Sequence, residues 1–321
     1  MTQNTMQAVV LDQFGGPEVL KIQMLPIPEI GPDEILIRIE SAGVGQWDPF
    51  EREGGYAKML GLEPHFPYVL GSEGAGVVVA VGESVSCFNK GDRVYAAGFL
   101  NPKGGFYAEY AAVKADVVAP IPNGLTTEQA GVILGVAITA LRGLDDTLHL
   151  KSGESIILFG ASGGVGHMAV QLAKRMGVCV FAVASGNDGV ALTKELGADT
   201  AVNGRTDDVL SAAQEFALDS FDTALLMAGG EVAAQALSLV RNGGRIAYPS
   251  GVHPEPQVRA GMQVSSYYGA PDAEIISRLN ELMNDGPLEV HIARTFLLDQ
   301  AVEAHRMLNQ HYLGKLALRT N

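Results

Sequence analysis

The chain has 321 residues, 47% apolar and 18% charged, so it is long enough for two domains and too apolar for a disordered chain. Its 22 basic against 36 acidic residues leave a formal charge of −14 and no concentrated basic stripe, which argues against a sequence-blind grip on nucleic acid. Two cysteines, Cys87 and Cys179, fit a reducing compartment, and the absence of an apolar run near 18 residues or of a leader-like start points to the cytoplasm rather than to a membrane.

Through about residue 122 the chain reads as short strands, MQAVVLDQF, EILIRIESAGV, GSEGAGVVVAVG, DRVYAAG and YAEYAAV, divided by glycine, proline and aspartate turns. An all-β domain with few helices is expected there. The texture changes near PIPNGLTTEQA, residues 120–130, to buried strands alternating with amphipathic helices, the pattern of βαβ units on a parallel sheet.

The strongest local signal is SIILFGASGGVGHMAVQLAKRMGVCVFAVA, a strand, a glycine turn, a helix and a second strand. Val165, Met168, Ala169, Leu172, Ala173 and Met176 recur at helical spacing, and Gly177 ends the helix. Farther on, FDTALLMAGG and NGGRIAYPSG each read as a strand and glycine turn, and DAEIISRLNELMNDGP as a helix stopped by Gly286 and Pro287. No solenoid repeat is visible.

The loop GASGGVG carries glycines at 160, 163, 164 and 166. Small residues let a backbone turn sharply from strand to helix, approach a pyrophosphate and offer free amides at a helix N-terminus, so Ala161, Ser162, Gly163, Gly164, Val165 and Gly166 are predicted to bind a dinucleotide. A Rossmann site for NAD places a carboxylate at the end of the second strand. Here that strand ends at Ser185, which would not repel a 2′-phosphate, so NADPH is the expected cofactor; Asp188 and the lack of a neighbouring lysine or arginine run against it.

With these motifs, the chain resembles zinc-independent medium-chain dehydrogenases/reductases of the quinone-oxidoreductase-like branch. The resemblance runs nearly end to end, on FGGPEVL, LGSEGAGVVVAVGESV, FNKGDRVYA, GGFYAEYAAV, ITALRGL, GASGGVG, ELGAD, NGGRIAYPSG, AVEAHRML and LGKLALR. It implies an α/β protein, with a GroES-like β-rich catalytic domain of residues 1–124 and 292–321 and a doubly wound Rossmann domain of residues 125–291. It also implies an active-site cleft at the domain junction and a homodimer, commonly joined through the Rossmann sheets.

Zinc relatives need two thiolates and an imidazole or equivalent. The matching positions for the first cysteine and the histidine are Gly45 and Ser72, and the cysteine cluster of a structural zinc is missing, so no metal is expected. Glu73, His167, His305 and His311 read as structural or solvated. The asparagine often found after the AGV turn is replaced in Gly45-Gln46-Trp47-Asp48. The aromatic stretch of residues 49–71 is open to two readings, a pocket wall or ordinary loop packing.

By resemblance, Thr139, Gly229, Tyr248, Ser250 and Lys315 border the cofactor, Gly229 by backbone because the polar side chain of that strand end is lost. Tyr107 and Tyr56 are the candidate proton donors. Without zinc, an alcohol is hard to ionise, whereas a quinone or α,β-unsaturated carbonyl accepts hydride readily. The expected function is therefore NADPH-dependent reduction of a small apolar conjugated substrate. A non-catalytic NADPH-binding protein is the competing class, and an enoyl-thioester reductase the competing reaction, though the acidic chain shows no basic patch for a carrier.

Overall fold

A computed structural model describes residues 5–257, 260–284 and 286–320. The chain divides into two compact units, Met1–Gly135 with Ala270–Asn321, and Val136–Gly269. In order, the elements of the first part are β1 (Thr5–Leu11), β2 (Lys21–Pro26), β3 (Glu34–Val44), α1 (Trp47–Arg52), α2 (Gly55–Leu60), β4 (Tyr68–Val69), β5 (Glu73–Val81), β6 (Arg93–Ala97), β7 (Tyr110–Lys114), β8 (Val118–Pro120) and α3 (Thr127–Ala130). Then come α4 (Leu134–Leu141), β9 (Ser155–Phe159), α5 (Gly164–Arg175), β10 (Cys179–Ala184), α6 (Gly186–Glu195), β11 (Thr200–Asn203), α7 (Val209–Phe216), β12 (Phe221–Leu226), α8 (Glu231–Ala236), β13 (Val240–Pro249) and β14 (Gln263–Tyr267). The chain finishes with α9 (Ala273–Leu282), β15 (Ile292–Leu297), α10 (Ala301–Met307) and β16 (Lys315–Arg319).

In the first unit, β3 carries Ile35, Ile37 and Ile39 at every second position, and all three are buried, as a half-buried strand requires. It sits inside a seven-stranded sheet ordered β15-β16-β3-β5-β6-β8, with β7 also paired to β3. Strands β2, β1 and β4 form a second, three-stranded sheet. A core of Leu11, Ile35, Leu70, Val94, Phe106, Phe296 and Leu318 holds these layers together, so the last strand belongs to the same core as the first. Within residues 49–71, which read as a loop, the chain instead forms α1 and α2, separated by Gly54 at φ +81°. That left-handed residue, favoured by glycine, lets two short helices meet at a sharp corner.

The second unit holds a wholly parallel six-stranded sheet, ordered β11-β10-β9-β12-β13-β14, which is the doubly wound arrangement. Its central strand β9 is buried from Ile156 to Phe159, the near-continuous apolar run expected of a strand covered on both faces. Helix α5 buries Met168, Ala169, Leu172 and Ala173, and Gly177 at φ +75° follows its end.

The compact units differ from the expected boundaries at residues 124/125 and 291/292, which both fall inside the first unit. Helix α3 opens with a Thr126–Gln129 capping box and packs on β3, β5 and β6, while α9 packs on β8. Tyr95 of β6 also donates a hydrogen bond to Asn280 Oδ1 of α9 at 2.6 Å. The shift to helical texture therefore begins before the parallel sheet does. Among the described residues no helix is long and apolar enough to cross a membrane.

Candidate active site

The second unit gathers its candidate residues at one edge. Gly160 follows β9 at φ +74°, Ser185 follows β10, Gly229 lies just beyond β12, and Ser250 follows β13. These are the carboxyl ends of neighbouring parallel strands, where open α/β sheets bind their ligands. Tyr248 is half-buried near the end of β13, and the exposed Ser250 donates its N–H to Tyr267 O at 2.8 Å. Thr139 of α4 is buried against Gly269, where an added Cβ would lie 2.0 Å from Thr139 Oγ1.

The glycines of the loop have unequal duties. At Gly166 a Cβ would lie 2.1 Å from Gly160 O, so this glycine lets α5 pack against the turn. At Gly163 it would meet nothing nearer than Gly160 O at 3.4 Å, so this glycine leaves an open face beside the loop. The amides of Gly164, Val165 and Gly166 stand in the first turn of α5, where N–H groups have no intrahelical acceptor and the helix dipole favours an anion. His167 serves the loop structurally: its ring Nδ1 donates to Gly163 O at 2.9 Å. Ala161 is fully buried beneath the turn.

Ser162 is buried, and its Oγ accepts the Ser185 N–H at 3.3 Å, tying the glycine loop to the end of β10. Ser185 Oγ is itself buried with no hydrogen-bond partner. No carboxylate takes the strand-end position, and Asp188 Oδ1 is turned to the Gly189 N–H at 2.9 Å. Asn203, at the end of β11, accepts from the amides of Gly186 and Arg205 at 3.3 and 3.1 Å and donates to Asn187 Oδ1 at 2.9 Å. The open face at Gly163 and the unpartnered hydroxyl of Ser185 fit a dinucleotide, whose pyrophosphate the α5 amides, and whose adenosine ribose Ser185, would be placed to hold. Nothing in the sequence signals that Asn203 sits beside Ser185, because that placement comes from strand pairing, Ala184 opposite Asn203.

The first unit holds a chain of buried polar groups. Asp48 Oδ2 accepts from the Gly45 amide at 2.8 Å and from the Tyr107 hydroxyl at 2.7 Å. His305 lies edge-on to Tyr107, its Nε2 3.3 Å from the same hydroxyl, and its Nδ1 is 2.8 Å from Arg52 Nη1. Because Arg52 only donates and Tyr107 already donates to Asp48, His305 carries its proton on Nε2. Burial holds His305 down at about 3 and pushes Asp48 up to about 6. Glu51, which accepts from the Tyr68 hydroxyl, is pushed up by burial to about 7.

These contacts weigh against the reading of Tyr107 as a donor to substrate. The residue is 0% exposed, burial raises its hydroxyl far above the ordinary tyrosine range, and its proton is committed to Asp48. Tyr56 is half-buried on α2, its ring packed edge-on against Phe50 at 4.8 Å. Lys315, expected near the cofactor, has its Nζ buried 2.8 Å from Glu73 Oε1 and 4.7 Å from the centre of the Trp47 indole, within its own unit. The ammonium and the carboxylate face each other without an aligned hydrogen bond. Glu73 Oε2 accepts the Gly135 N–H at 2.7 Å, in keeping with a structural carboxylate.

A zinc site does not fit these residues. A Cβ on Gly45 would lie 2.6 Å from the Trp47 ring, so the indole fills the space where a first ligand would project, and Ser72 offers a neutral hydroxyl. Among the described residues no three His, Cys, Asp or Glu side chains gather as ligands.

Residues 31–123 match the family described as alcohol dehydrogenase GroES-like domain, and residues 164–267 the family described as zinc-binding dehydrogenase. The chain is 30% identical to a quinone oxidoreductase of Mus musculus over 94% of each protein, and 34% identical to that of Homo sapiens over 76% of this chain and 73% of that one. It is similar to the solved structure of a quinone oxidoreductase from Coxiella burnetii, at 30% identity and a TM-score of 0.83 over 99% of this chain and 100% of that one. An Escherichia coli quinone oxidoreductase solved with NADPH shares the fold, with a TM-score of 0.85 at 24% identity over 98% and 99%. With the parallel sheet, the glycine loop and the β-rich unit all matched, the chain belongs to the quinone oxidoreductase family of medium-chain dehydrogenases/reductases.

Proposed function

We propose that this chain is a zinc-independent oxidoreductase that transfers hydride from NADPH to a quinone or an α,β-unsaturated carbonyl. The observation that carries the reading is a dinucleotide loop with an open face at Gly163, in a chain whose zinc-ligand positions are Gly45 and a buried Ser72. Bound NADPH supplies a hydride to an electron-poor carbon. The α5 amides hold the diphosphate and Ser185 the adenosine ribose, with no strand-end carboxylate to repel a 2′-phosphate. Without a Lewis acid, an alcohol keeps its proton, whereas an enolate or hydroquinone oxygen needs only a hydrogen-bond donor and a proton. Tyr56, the half-exposed one of the two candidate tyrosines, is the donor in this reading. The exposed apolar side chains Phe50, Met59, Leu60 and Phe66 on and beside α1 and α2 favour a small apolar conjugated substrate.

A cytoplasmic homodimer completes the proposal. Both cysteines are free and exposed, as suits a reducing compartment, and β14 is an edge strand of the parallel sheet with an unpaired flank to offer a second copy. The test is NADPH consumption with 1,4-benzoquinone, a naphthoquinone, a short alkenal and a saturated aldehyde. Conjugated substrates should turn over and the saturated aldehyde should not. Faster turnover of the saturated aldehyde than of every conjugated substrate would overturn the assignment.

A further inference from the structure

A 2′-phosphate carries close to two negative charges, and a neutral serine is a modest partner for it. Residues 185–189, Ser-Gly-Asn-Asp-Gly, contain no cation, and Asp188 adds a negative charge. The neighbouring strand supplies what this segment lacks. Strands β10 and β11 run parallel with Ala184 opposite Asn203, and Gly204 N–H donates to Ala184 O at 2.9 Å, so the chain beyond Asn203 is held beside Ser185.

We propose that Arg205 is the residue that receives the 2′-phosphate of NADPH, acting with the hydroxyl of Ser185. The proposal rests on the reading of the chain as an NADPH enzyme and assigns the charge that sets its cofactor preference.

Three observations support it. Asn203 Oδ1 accepts the amides of both Gly186 and Arg205, so one side chain fixes the two loops relative to each other. The guanidinium of Arg205 is exposed and makes no ion pair among the described residues, although two acids follow closely. Those acids are otherwise engaged: Asp207 Oδ2 accepts the Asn203 N–H at 2.8 Å, and Asp208 caps α7 by accepting the Ser211 N–H at 3.0 Å. Finally, Ser185 Oγ is buried at the base of this corner without a partner, so a ligand oxygen there would satisfy a group that the protein leaves unpaired. Residue 204 is glycine, and a Cβ there would lie 2.9 Å from Val183 Cγ1, so the turn from β11 to Arg205 packs closely on β10.

The test is calorimetric titration of the full chain and of Arg205→Ala and Arg205→Lys with four probes: NADPH, NADH, 2′,5′-adenosine bisphosphate and 5′-AMP. Loss of one charge-assisted phosphate contact should weaken NADPH and the bisphosphate by about tenfold in Arg205→Ala. NADH and 5′-AMP should change by less than about twofold, and Arg205→Lys should fall between, since a lysine keeps the charge but not the bidentate fork. Unchanged NADPH affinity in Arg205→Ala, or an equal loss for all four probes, overturns the assignment of Arg205 and leaves the NADPH reading standing. Failure of the unaltered chain to bind either dinucleotide overturns both. Thermal unfolding of each variant confirms that an exposed side chain was changed without disturbing the fold.

Discussion

Lys315 Nζ stands 2.8 Å from Glu73 Oε1, with the two side chains 3% and 1% exposed. An ammonium and a carboxylate so deeply buried depend on each other, because neither has water to fall back on. Lys315→Met alone should cost about 3–5 kcal/mol by leaving an uncompensated buried charge. Lys315→Met combined with Glu73→Gln should recover much of that loss. Urea unfolding of the four proteins of the cycle checks it, and additive losses would show that the pair is uncoupled.

Gly163→Ala and Gly166→Ala should separate binding from folding. A methyl at Gly163 meets only Gly160 O at 3.4 Å, so this variant should fold with near-normal stability and lose nucleotide affinity as the open face fills. A methyl at Gly166 would lie 2.1 Å from Gly160 O and 2.7 Å from Ala161 Cα, forcing backbone to move. A stability loss of about 1–3 kcal/mol is expected there. Thermal unfolding with and without NADPH reads both effects.

Tyr107→Phe should lower stability while sparing turnover. It removes the 2.7 Å hydrogen bond to Asp48, whose Oδ1 is already unpartnered, at a cost of about 1–3 kcal/mol. With benzoquinone as acceptor, kcat should stay within about twofold. A large fall in kcat at unchanged stability would restore the hydroxyl as a donor to substrate.

The buried titratable groups give opposing pH dependences. Glu51 and Asp48 have folded values raised to about 7 and about 6, above their ordinary values of 4.5 and 3.8, so the folded state holds more protons. Their contribution is fully present at low pH and is lost as pH rises through about 7 and about 6. His305, lowered from 6.5 to about 3, acts oppositely: its contribution is present above pH 6.5 and is lost as pH falls toward 3. Glu51→Gln should therefore gain on the unaltered protein as pH rises from 4.5 to 7, and His305→Gln should gain on it as pH falls from 6.5. Chemical unfolding across that range measures both slopes, and a flat difference for either variant refutes that assignment.

Elemental analysis of chelator-free protein grown with added zinc should find far less than one zinc per chain, and chelators should leave quinone reduction unchanged. One tightly held zinc lost together with activity would contradict the reading of Gly45 and Ser72.

Much of the second unit was legible in the sequence because its signals are local. A glycine turn, a buried strand and a periodic helix lie within thirty residues, and the positions from Ala161 to Gly166 form the turn and first residues of α5 between β9 and the rest of that helix. What escaped depends on distance along the chain. The pairing of Glu73 with Lys315, and of Tyr107 with Asp48 and His305, is made by the sheet and by α10, and no spacing rule announces it. Arg205 was hidden for the same reason, lying in the turn after the next strand rather than near Ser185 in sequence. Helices α1 and α2 were read as loop because their aromatic and glycine content suits either state, and burial of Asp48, Glu51 and Arg52 decides between them.

Strand β16 lies inside the seven-stranded sheet, between β15 and β3, and pairs Arg319 with Ser41 and Leu316 with Val44. On the ribosome, the first unit therefore begins synthesis early yet stays open until its final strand has left the exit tunnel. The parallel sheet is complete in sequence at Tyr267, so it can consolidate while β3 still awaits its neighbour. During that interval the flank of β3 that β16 will cover presents bare amides and carbonyls.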